Sequence, residues 1–161
     1  MKKHAVLLLV IMIFATISCR KTTPDPPEPK PFTTFMVNGL EQHFPYASSF
    51  SKDFCSSSTY CGRFFNVDEA TSKQLKIGIP GDPIVGHIYH TGESRFSCFY
   101  IDANLKRYDL ATAPFIVVFT LWEGQGGWAK GNFSGWMKSA EGDSIHFENG
   151  FFQNKIWTLV P

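Results

Sequence analysis

The sequence lacks a strong net charge, and this limits its partners. Its 161 residues include 15 basic and 14 acidic side chains, for a formal net charge of +1 at pH 7. A protein that binds nucleic acid through its phosphates has a basic patch or stripe, and this sequence contains none. No basic cluster for an anionic lipid surface stands out either. The sequence therefore predicts no nucleic-acid partner.

The sequence is also poor in alanine and leucine, the strongest helix formers, and it shows no convincing amphipathic helix. In their place are 16 phenylalanines, 4 tryptophans and 13 glycines. Aromatic residues favour strands, and glycine marks turns. A disordered chain would lack this much aromatic surface to bury. The composition therefore predicts a folded, all-β domain.

Long hydrophobic runs are missing, apart from one at the N-terminus. Residues 5–17 are apolar except for Thr16, a run shorter than the roughly 20 residues that a membrane-spanning helix needs. Lys2 and Lys3 precede the run, and small Ser18 stands before Cys19, as in a secretory signal. We therefore predict a signal peptide over residues 1–18. The alternative is an ordinary cut that leaves Cys19 as a plain cysteine.

Residues 16–19 (Thr-Ile-Ser-Cys) resemble the lipobox of bacterial lipoproteins, in the looser form found in the Bacteroidota. The resemblance implies that Cys19 carries a diacylglycerol and an amide-linked acyl chain, which together anchor a protein stably. The expected location is the outer membrane, with lipid as the only membrane contact. Arg20 and Lys21 follow Cys19 instead of the acidic run common in surface-exported relatives, which favours the periplasmic side over the cell surface.

The segment after the anchor is rich in proline and charge, a composition that favours an extended tether and builds no core. We therefore predict a lipidated linker over residues 19–31. Without Lys2 and Lys3 the 15 basic residues fall to 13, against 14 acidic ones. The remaining residues, 32–161, have the length of a single domain.

Apolar and polar residues alternate through this domain between turn signals. Asn38-Gly39 between residues 33–37 and 40–44 predicts a hairpin with a type I′ turn. The same reasoning predicts strands at 63–67, 75–79, 95–102, 115–122, 128–138, 145–147 and 151–160, with 84–90 ambiguous. The pattern is typical of an antiparallel, meandering β-sandwich or barrel of about eight or nine strands.

Finer expectations concern single segments. Residues 50–59 are predicted to be irregular, and residues 104–109 a polar connection. Residues 115–122 are apolar at almost every position, which predicts a central strand buried on both faces. The remaining expectations are a turn at Asn149-Gly150, a bulge or bend at Gly131 and Gly135, and core positions for Trp136 and Trp157.

Three cysteines follow Cys19. Cys55 and Cys61 flank a short loop, so we predict a local disulfide that stabilises by about 2 kcal/mol at most. Cys98 lies in an alternating apolar run and is predicted to be a buried thiol. The odd number leaves other pairings open. Because no C-x-x-C pair occurs, the cysteines predict no zinc site.

Catalytic motifs are absent from the sequence. Ser134 stands in G-x-x-S-G, shifted from the nucleophile elbow G-x-S-x-G, and it lies in a predicted strand. His87 and His90 would point to opposite faces of a strand and have no further ligands nearby, so they predict no metal. The sequence therefore predicts no catalytic residue, metal or cofactor, and a protein that is not an enzyme.

Several turn and strand motifs resemble small all-β lipoprotein domains of the Bacteroidota, across residues 32–152. The motifs lie at residues 35–39, 86–89, 131–135, 142–145 and 149–152. The resemblance implies a small β module on a lipid tether and supplies no catalytic residues. Asp143-Ser144-Ile145 also resembles the O-glycosylation sequon of exported Bacteroidota proteins, which implies modification of Ser144.

Two tryptophans give the candidate ligand site. Trp122 and Trp128 bracket a glycine-rich segment in which Glu123 and Gln125 offer hydrogen-bonding groups. Exposed indoles there would stack on a sugar or grip a partner, whereas buried ones would cap the core. We expect a non-enzymatic binding or interaction module with a glycan or envelope-protein partner. The alternatives are a hydrolase or other enzyme assembled from distant residues, and a purely structural envelope protein.

Overall fold

The computed structural model describes residues 27–45, 48–56, 59–68 and 70–156. These residues form ten strands in one antiparallel sheet and contain no helix. The prediction of an antiparallel all-β domain is therefore confirmed. The predicted signal peptide, Cys19 and Trp157 lie outside the described residues.

Most strands that are consecutive in the sequence are also neighbours in the sheet. Their bounds are β1 Phe32–Val37, β2 Leu40–Phe44, β3 Ser48–Ser56, β4 Thr59–Asp68, β5 Lys73–Pro80, β6 Ile88–His90, β7 Ser97–Ile101, β8 Arg107–Trp122, β9 Trp128–Ser139 and β10 Ser144–Lys155. The order across the sheet is β2-β1-β10-β9-β8-β7-β5-β4-β3, with short β6 pairing with β8. β1 pairs with β10, so the first and last described strands are neighbours. β2 and β3 lie at the opposite edges of this order.

The sheet curls into an open half-barrel around one aromatic core. Residues on its inner face are fully buried at alternate positions, as the pleat requires. Phe147 lies at the centre, with ring centroids 5.4–5.7 Å from those of Phe35, Tyr100 and Phe115. Edge-to-face and tilted pairs of this kind add to the burial of the rings.

A buried polar contact links the two sides of the curl. The Asn66 Oδ1 on β4 accepts hydrogen bonds from Thr33 Oγ1 on β1 at 2.8 Å and from Asn154 Nδ2 on β10 at 3.4 Å. All three residues are buried. Since these strands are far apart in the sheet order, side chains rather than a backbone ladder join them here.

The first hairpin is as predicted. Asn38 and Gly39 have φ values of 49° and 79°, in the left-handed region that a type I′ turn needs. Asn38 also ties the hairpin to β10, because its Oδ1 accepts from the amide of His146 at 2.9 Å. The turn thus fixes both the register of β1 with β2 and the position of the pair on the sheet.

Two segments expected to be irregular or connecting lie partly in strands. Residues 50–56 belong to β3 and Thr59 begins β4, which pairs with β3, and β8 begins at Arg107 inside the predicted connection 104–109. Serine and polar residues weaken intrinsic strand preference, but pairing with a neighbour overrides that preference. The expectations were therefore wrong for residues 50–56, 59 and 107–109, whereas residues 104–106 do connect β7 to β8.

The predicted turn at Asn149-Gly150 is a bulge within one long strand. Asn149 has φ 52°, and the register between β10 and β9 shifts between Phe147 and Gly150. A left-handed residue serves a bulge as well as a turn, so the dipeptide alone does not distinguish them. A Cβ on Gly150 would lie 2.5 Å from the Phe133 carbonyl oxygen, which explains the glycine.

β8 is buried on one face only, contrary to expectation. Phe115, Val117 and Phe119 are fully buried, whereas Ile116 is 37% exposed. Trp136 on β9, expected in the core, is 42% exposed on the same outer face. The described part of the chain forms a single sheet, so it provides no second layer to cover this face. The predicted bend at Gly135 is confirmed, since the β8–β9 register breaks opposite it and its φ is 137°.

Candidate functional site

The predicted ligand loop is a tight connection between β8 and β9. Trp122 ends β8 and Trp128 begins β9. The Glu123 Oε2 accepts a hydrogen bond from the Trp128 amide at 2.8 Å, and the Glu123 amide donates to the Trp128 carbonyl at 3.0 Å. The carboxylate therefore closes the loop, while Gln125 is exposed at its tip.

The two tryptophans point to opposite faces of the sheet. Trp122 pairs with buried Ala129 across the β8–β9 ladder, so both face inward, and Trp122 packs against the core. Trp128 precedes Ala129 on β9 and pairs with Lys155 on β10, so it faces outward. The loop does not bring the two indoles together as one stacking platform.

The end of the linker lies against Trp128. The Lys155 Nζ lies 5.1 Å from the Trp128 ring centroid and 2.5 Å from Glu28 Oε1. The Gln153 Nε2 donates to the Lys30 carbonyl at 3.2 Å. Glu28, Pro29 and Pro31 enclose a cavity of about 80 Å³ with Trp128 and Lys155. The last residues of the predicted tether are therefore docked on the domain.

These positions predict unequal stability losses. Trp122→Ala removes core contacts and should lower the free energy of unfolding by about 2–3 kcal/mol. Trp128→Ala removes an outward indole and a cation–π contact, and should cost about 1 kcal/mol. Thermal melting of both variants beside the parent checks the order. Equal losses would contradict the assignment of the two side chains to opposite faces.

The remaining predicted residues are dispersed. The side chains of Cys55 and Cys61 lie outside the described residues, so their disulfide stays a prediction. Ser144 is exposed at the start of β10, and the preceding Asp143 forms an ion pair with Lys106.

Cys98 is buried as expected. Burial, and secondarily the charge of Asp109, raise the pKa of its thiol well above the ordinary value. Its thiol is therefore protonated at neutral pH.

The outer face of β8, β9 and β10 carries a depression that the sequence did not reveal. It has a volume of about 410 Å³. Its lining combines apolar Ile116 and Val118 with the polar side chains of Asn132, Ser134 and Asn149. Such a mixture of an apolar floor and a few polar groups is typical of ligand sites.

Trp136 does not line this depression but lies beside it on β9. It is the next outward residue after Ser134 on β9, and it pairs with His146 on β10. The rings of Trp136 and His146 are stacked, with centroids 4.4 Å apart and planes at 20°. The His146 Nδ1 lies 2.8 Å from Glu148 Oε1, which fixes the imidazole. Since His146 covers one face of the indole, the exposed surface of Trp136 belongs to its edge and opposite face.

The sequence does carry a signal for the exposure of Trp136, although not for the depression. Asn132, Ser134 and Lys138 share the outward face of β9 with Trp136, and none of the three is apolar. A tryptophan whose neighbours at positions i±2 and i−4 are polar stands on a solvent face by strand alternation. The glycines at 131 and 135 obscured the alternation, because they leave the inner face without side chains at those positions.

Among the described residues, two histidine–carboxylate pairs lie on the surface. One is His146 with Glu148, and the other is His87 with Glu93, whose Nε2 and Oε1 atoms are 3.2 Å apart. The enzyme alternative predicted such a pair in a buried cleft, whereas the His87 and Glu148 side chains are 43% and 48% exposed. Within the described ranges, no group of three or more His, Cys, Asp or Glu residues could hold a metal ion.

The fold and the site define a single-sheet, half-barrel β protein with its candidate binding surface on the outer face. Among the described residues, no helix has the length and apolar character needed to cross a membrane. No known protein family, curated protein or solved structure matches the chain.

Proposed function

We propose that this chain is a non-enzymatic binding module, held at the outer membrane by lipid on Cys19, and that it binds a glycan on its outer face. The observation that carries the proposal is Trp136. It is a large aromatic residue, 42% exposed, fixed by a stacked histidine beside an open depression. A pre-ordered indole offers apolar surface to a sugar ring at little entropic cost.

The polar lining of the depression suits hydroxyl groups. Asn132, Ser134 and Asn149 offer amide and hydroxyl groups that both donate and accept hydrogen bonds. None of these three side chains carries a charge. A sugar presents the same mixture of donors and acceptors, together with an apolar ring face for Trp136, Ile116 or Val118. The complementarity therefore favours a saccharide over a purely apolar ligand.

The docked linker supports the orientation of this site. Cys19 lies eight residues before Pro27, and eight residues span about 28 Å at most. The domain would thus stay close to the membrane, with the Trp128 end of β9 next to the tether. Trp136 lies eight residues further along β9, roughly 25 Å away. The proposed site then lies farther from the tether along β9 than the loop at residues 123–127 does.

The test is a binding measurement on the mature lipoprotein in a neutral detergent. A panel of glucans, mannans and xylans should contain a ligand, and Trp136→Ala should weaken its binding at least about tenfold through lost stacking. The same variant should lose only about 1 kcal/mol of stability, because the indole is exposed.

The matched control is Trp128→Ala, which removes another outward indole from the opposite end of β9. It should leave the affinity for the glycan within about twofold, a difference of roughly 0.4 kcal/mol. If the parent binds no glycan in the panel, or if the two variants weaken binding equally, the proposed function is wrong.

A further inference from the structure

A second aromatic side chain lies on the outer face of the sheet, across the depression from Trp136. Phe151 faces outward on β10 and pairs with Asn132 on β9, whereas Trp136 is the next outward residue after Ser134. Asn132 and Ser134 both line the depression. Phe151 and Trp136 therefore flank it along β9, although neither side chain lines it.

Other rings hold Phe151 in place. Its centroid lies 5.6 Å from that of Phe32 on β1, and Phe32 is stacked on His43 of β2 with centroids 6.2 Å apart. Phe151 and Phe32 are half-buried, so part of each ring stays accessible. A ring that is already fixed loses little side-chain freedom when a ligand stacks on it.

The two aromatic side chains are too far apart for one sugar ring to contact both. Because Phe151 lies opposite Asn132, it is four residues along β9 and one strand across from Trp136. This separation is about 14 Å, for a rise of about 3.3 Å per residue and a strand spacing of about 4.8 Å. A saccharide that contacts both must therefore contain about three units or more.

Polar side chains lie between the two aromatic side chains. The bulge in β10 places both Glu148 and Asn149 opposite Ser134. Asn149 lines the first depression and also a second one, of about 270 Å³, on β1 and β2. Thr34, the partner of Phe151 on β1, lines the second depression too. The recessed surface therefore continues past Phe151.

The charges around this surface favour an uncharged ligand. Of the described residues that line the two depressions, Glu41 alone carries a charge. Glu148 lies beside Asn149 in the bulge, and its side chain is 48% exposed. Two carboxylates and no lining cation repel an acidic sugar and leave a neutral one unaffected.

We propose that this surface binds a neutral oligosaccharide of about three units or more, with one sugar ring on Trp136 and another on Phe151. The sugars between these rings exchange hydrogen bonds with Ser134 and Asn149. The inference rests on the proposed function, because it names the ligand class of the same surface. It adds Phe151 as a second stacking residue and makes affinity depend on chain length.

The test is the dependence of affinity on chain length. Cello-, manno- and xylo-oligosaccharides, from the disaccharide to the tetrasaccharide, are titrated calorimetrically into the mature lipoprotein in a neutral detergent. In a series that binds, the tetrasaccharide should bind at least about tenfold more tightly than the disaccharide, which reaches only one aromatic side chain. Tetragalacturonate, an acidic chain of equal length, should bind more weakly than the neutral tetrasaccharide.

Phe151→Ala should weaken binding of the tetrasaccharide about fivefold or more and change that of the disaccharide less than about twofold. The matched control is Phe99→Ala, which removes another outward, half-buried phenylalanine from β7 and should leave both affinities within about twofold. Phe151→Tyr keeps the ring and should keep the gain with length. Asn149→Gly keeps the left-handed φ accessible and should weaken the tetrasaccharide about threefold.

The outcomes separate this inference from the proposed function. Equal affinities for the disaccharide and the tetrasaccharide, or a Phe151→Ala variant that keeps the full gain with length, overturn the inference and leave the site at Trp136 standing. Tighter binding of tetragalacturonate than of every neutral chain overturns it as well. A Trp136→Ala variant that binds each oligosaccharide as tightly as the parent overturns the proposed function. If no neutral oligosaccharide binds, both are wrong.

Discussion

Replacing Phe147 by alanine is expected to lower the free energy of unfolding by about 3–5 kcal/mol, a large share of the stability of a domain this size. The ring is fully buried and contacts Phe35, Tyr100, Phe115 and Phe133. Those residues come from β1, β7, β8 and β9, so the cavity would open where four strands meet. Surrounding side chains held by several strands collapse only partly into such a space.

The measurement is urea unfolding, supported by a melting temperature lower by roughly 10–20 °C. The matched control is Phe151→Ala on the same strand. Phe151 faces outward and pairs with Phe32 at 5.6 Å between centroids, so its loss should cost about 1 kcal/mol. Phe147→Leu, which keeps most of the volume, should fall between them. Similar losses for Phe147→Ala and Phe151→Ala would refute the placement of the core.

Local sequence patterns predicted the fold class well because the relevant forces are local. The Asn38-Gly39 dipeptide supplies two left-handed residues, and few alternatives to a hairpin turn exist between alternating segments. The inner-face alternation of Leu75, Ile77 and Ile79 is equally direct. Such signals need no knowledge of the rest of the chain.

Features that depend on distant neighbours were predicted poorly. Asn149-Gly150 became a bulge because both flanking segments pair with β9, and residues 50–56 became part of β3 because β3 and β4 pair with each other. The contact of Thr33 with Asn66 joins residues 33 positions apart, and Asn66 meets Asn154 across 88 positions. Sequence patterning within one window carries no information about such contacts.

The candidate site was predicted poorly for the same reason. Trp122 and Trp128 were grouped because they are close in sequence, but strand alternation sends them to opposite faces. Trp136 was assigned to the core because tryptophan within a strand is usually buried on a sheet that has a covered face. Its exposure follows from the single-sheet architecture, a global property. The polar residues beside it on β9 were the only local sign.

The predicted lipid anchor on Cys19 gives the most direct test of the proposed location. Cys19→Ala removes the only thiol that the lipobox resemblance assigns to lipidation, so acyl labelling should disappear. Nothing in the described residues offers a helix to cross the membrane, and the predicted contact is lipid alone. The variant should therefore retain its signal peptide or appear in the soluble fraction, while the parent sediments with outer membranes.

The measurement is incorporation of labelled palmitate, followed by fractionation of the cells. Cys98→Ala is the matched control, because it makes the same chemical change at a buried thiol whose pKa burial raises. It should keep both the label and the membrane association. Protease treatment of intact cells then separates the two sides of the outer membrane, since a periplasm-facing domain should survive it. A Cys19→Ala protein that still carries labelled acyl chains and sediments with membranes would show that the anchor lies elsewhere.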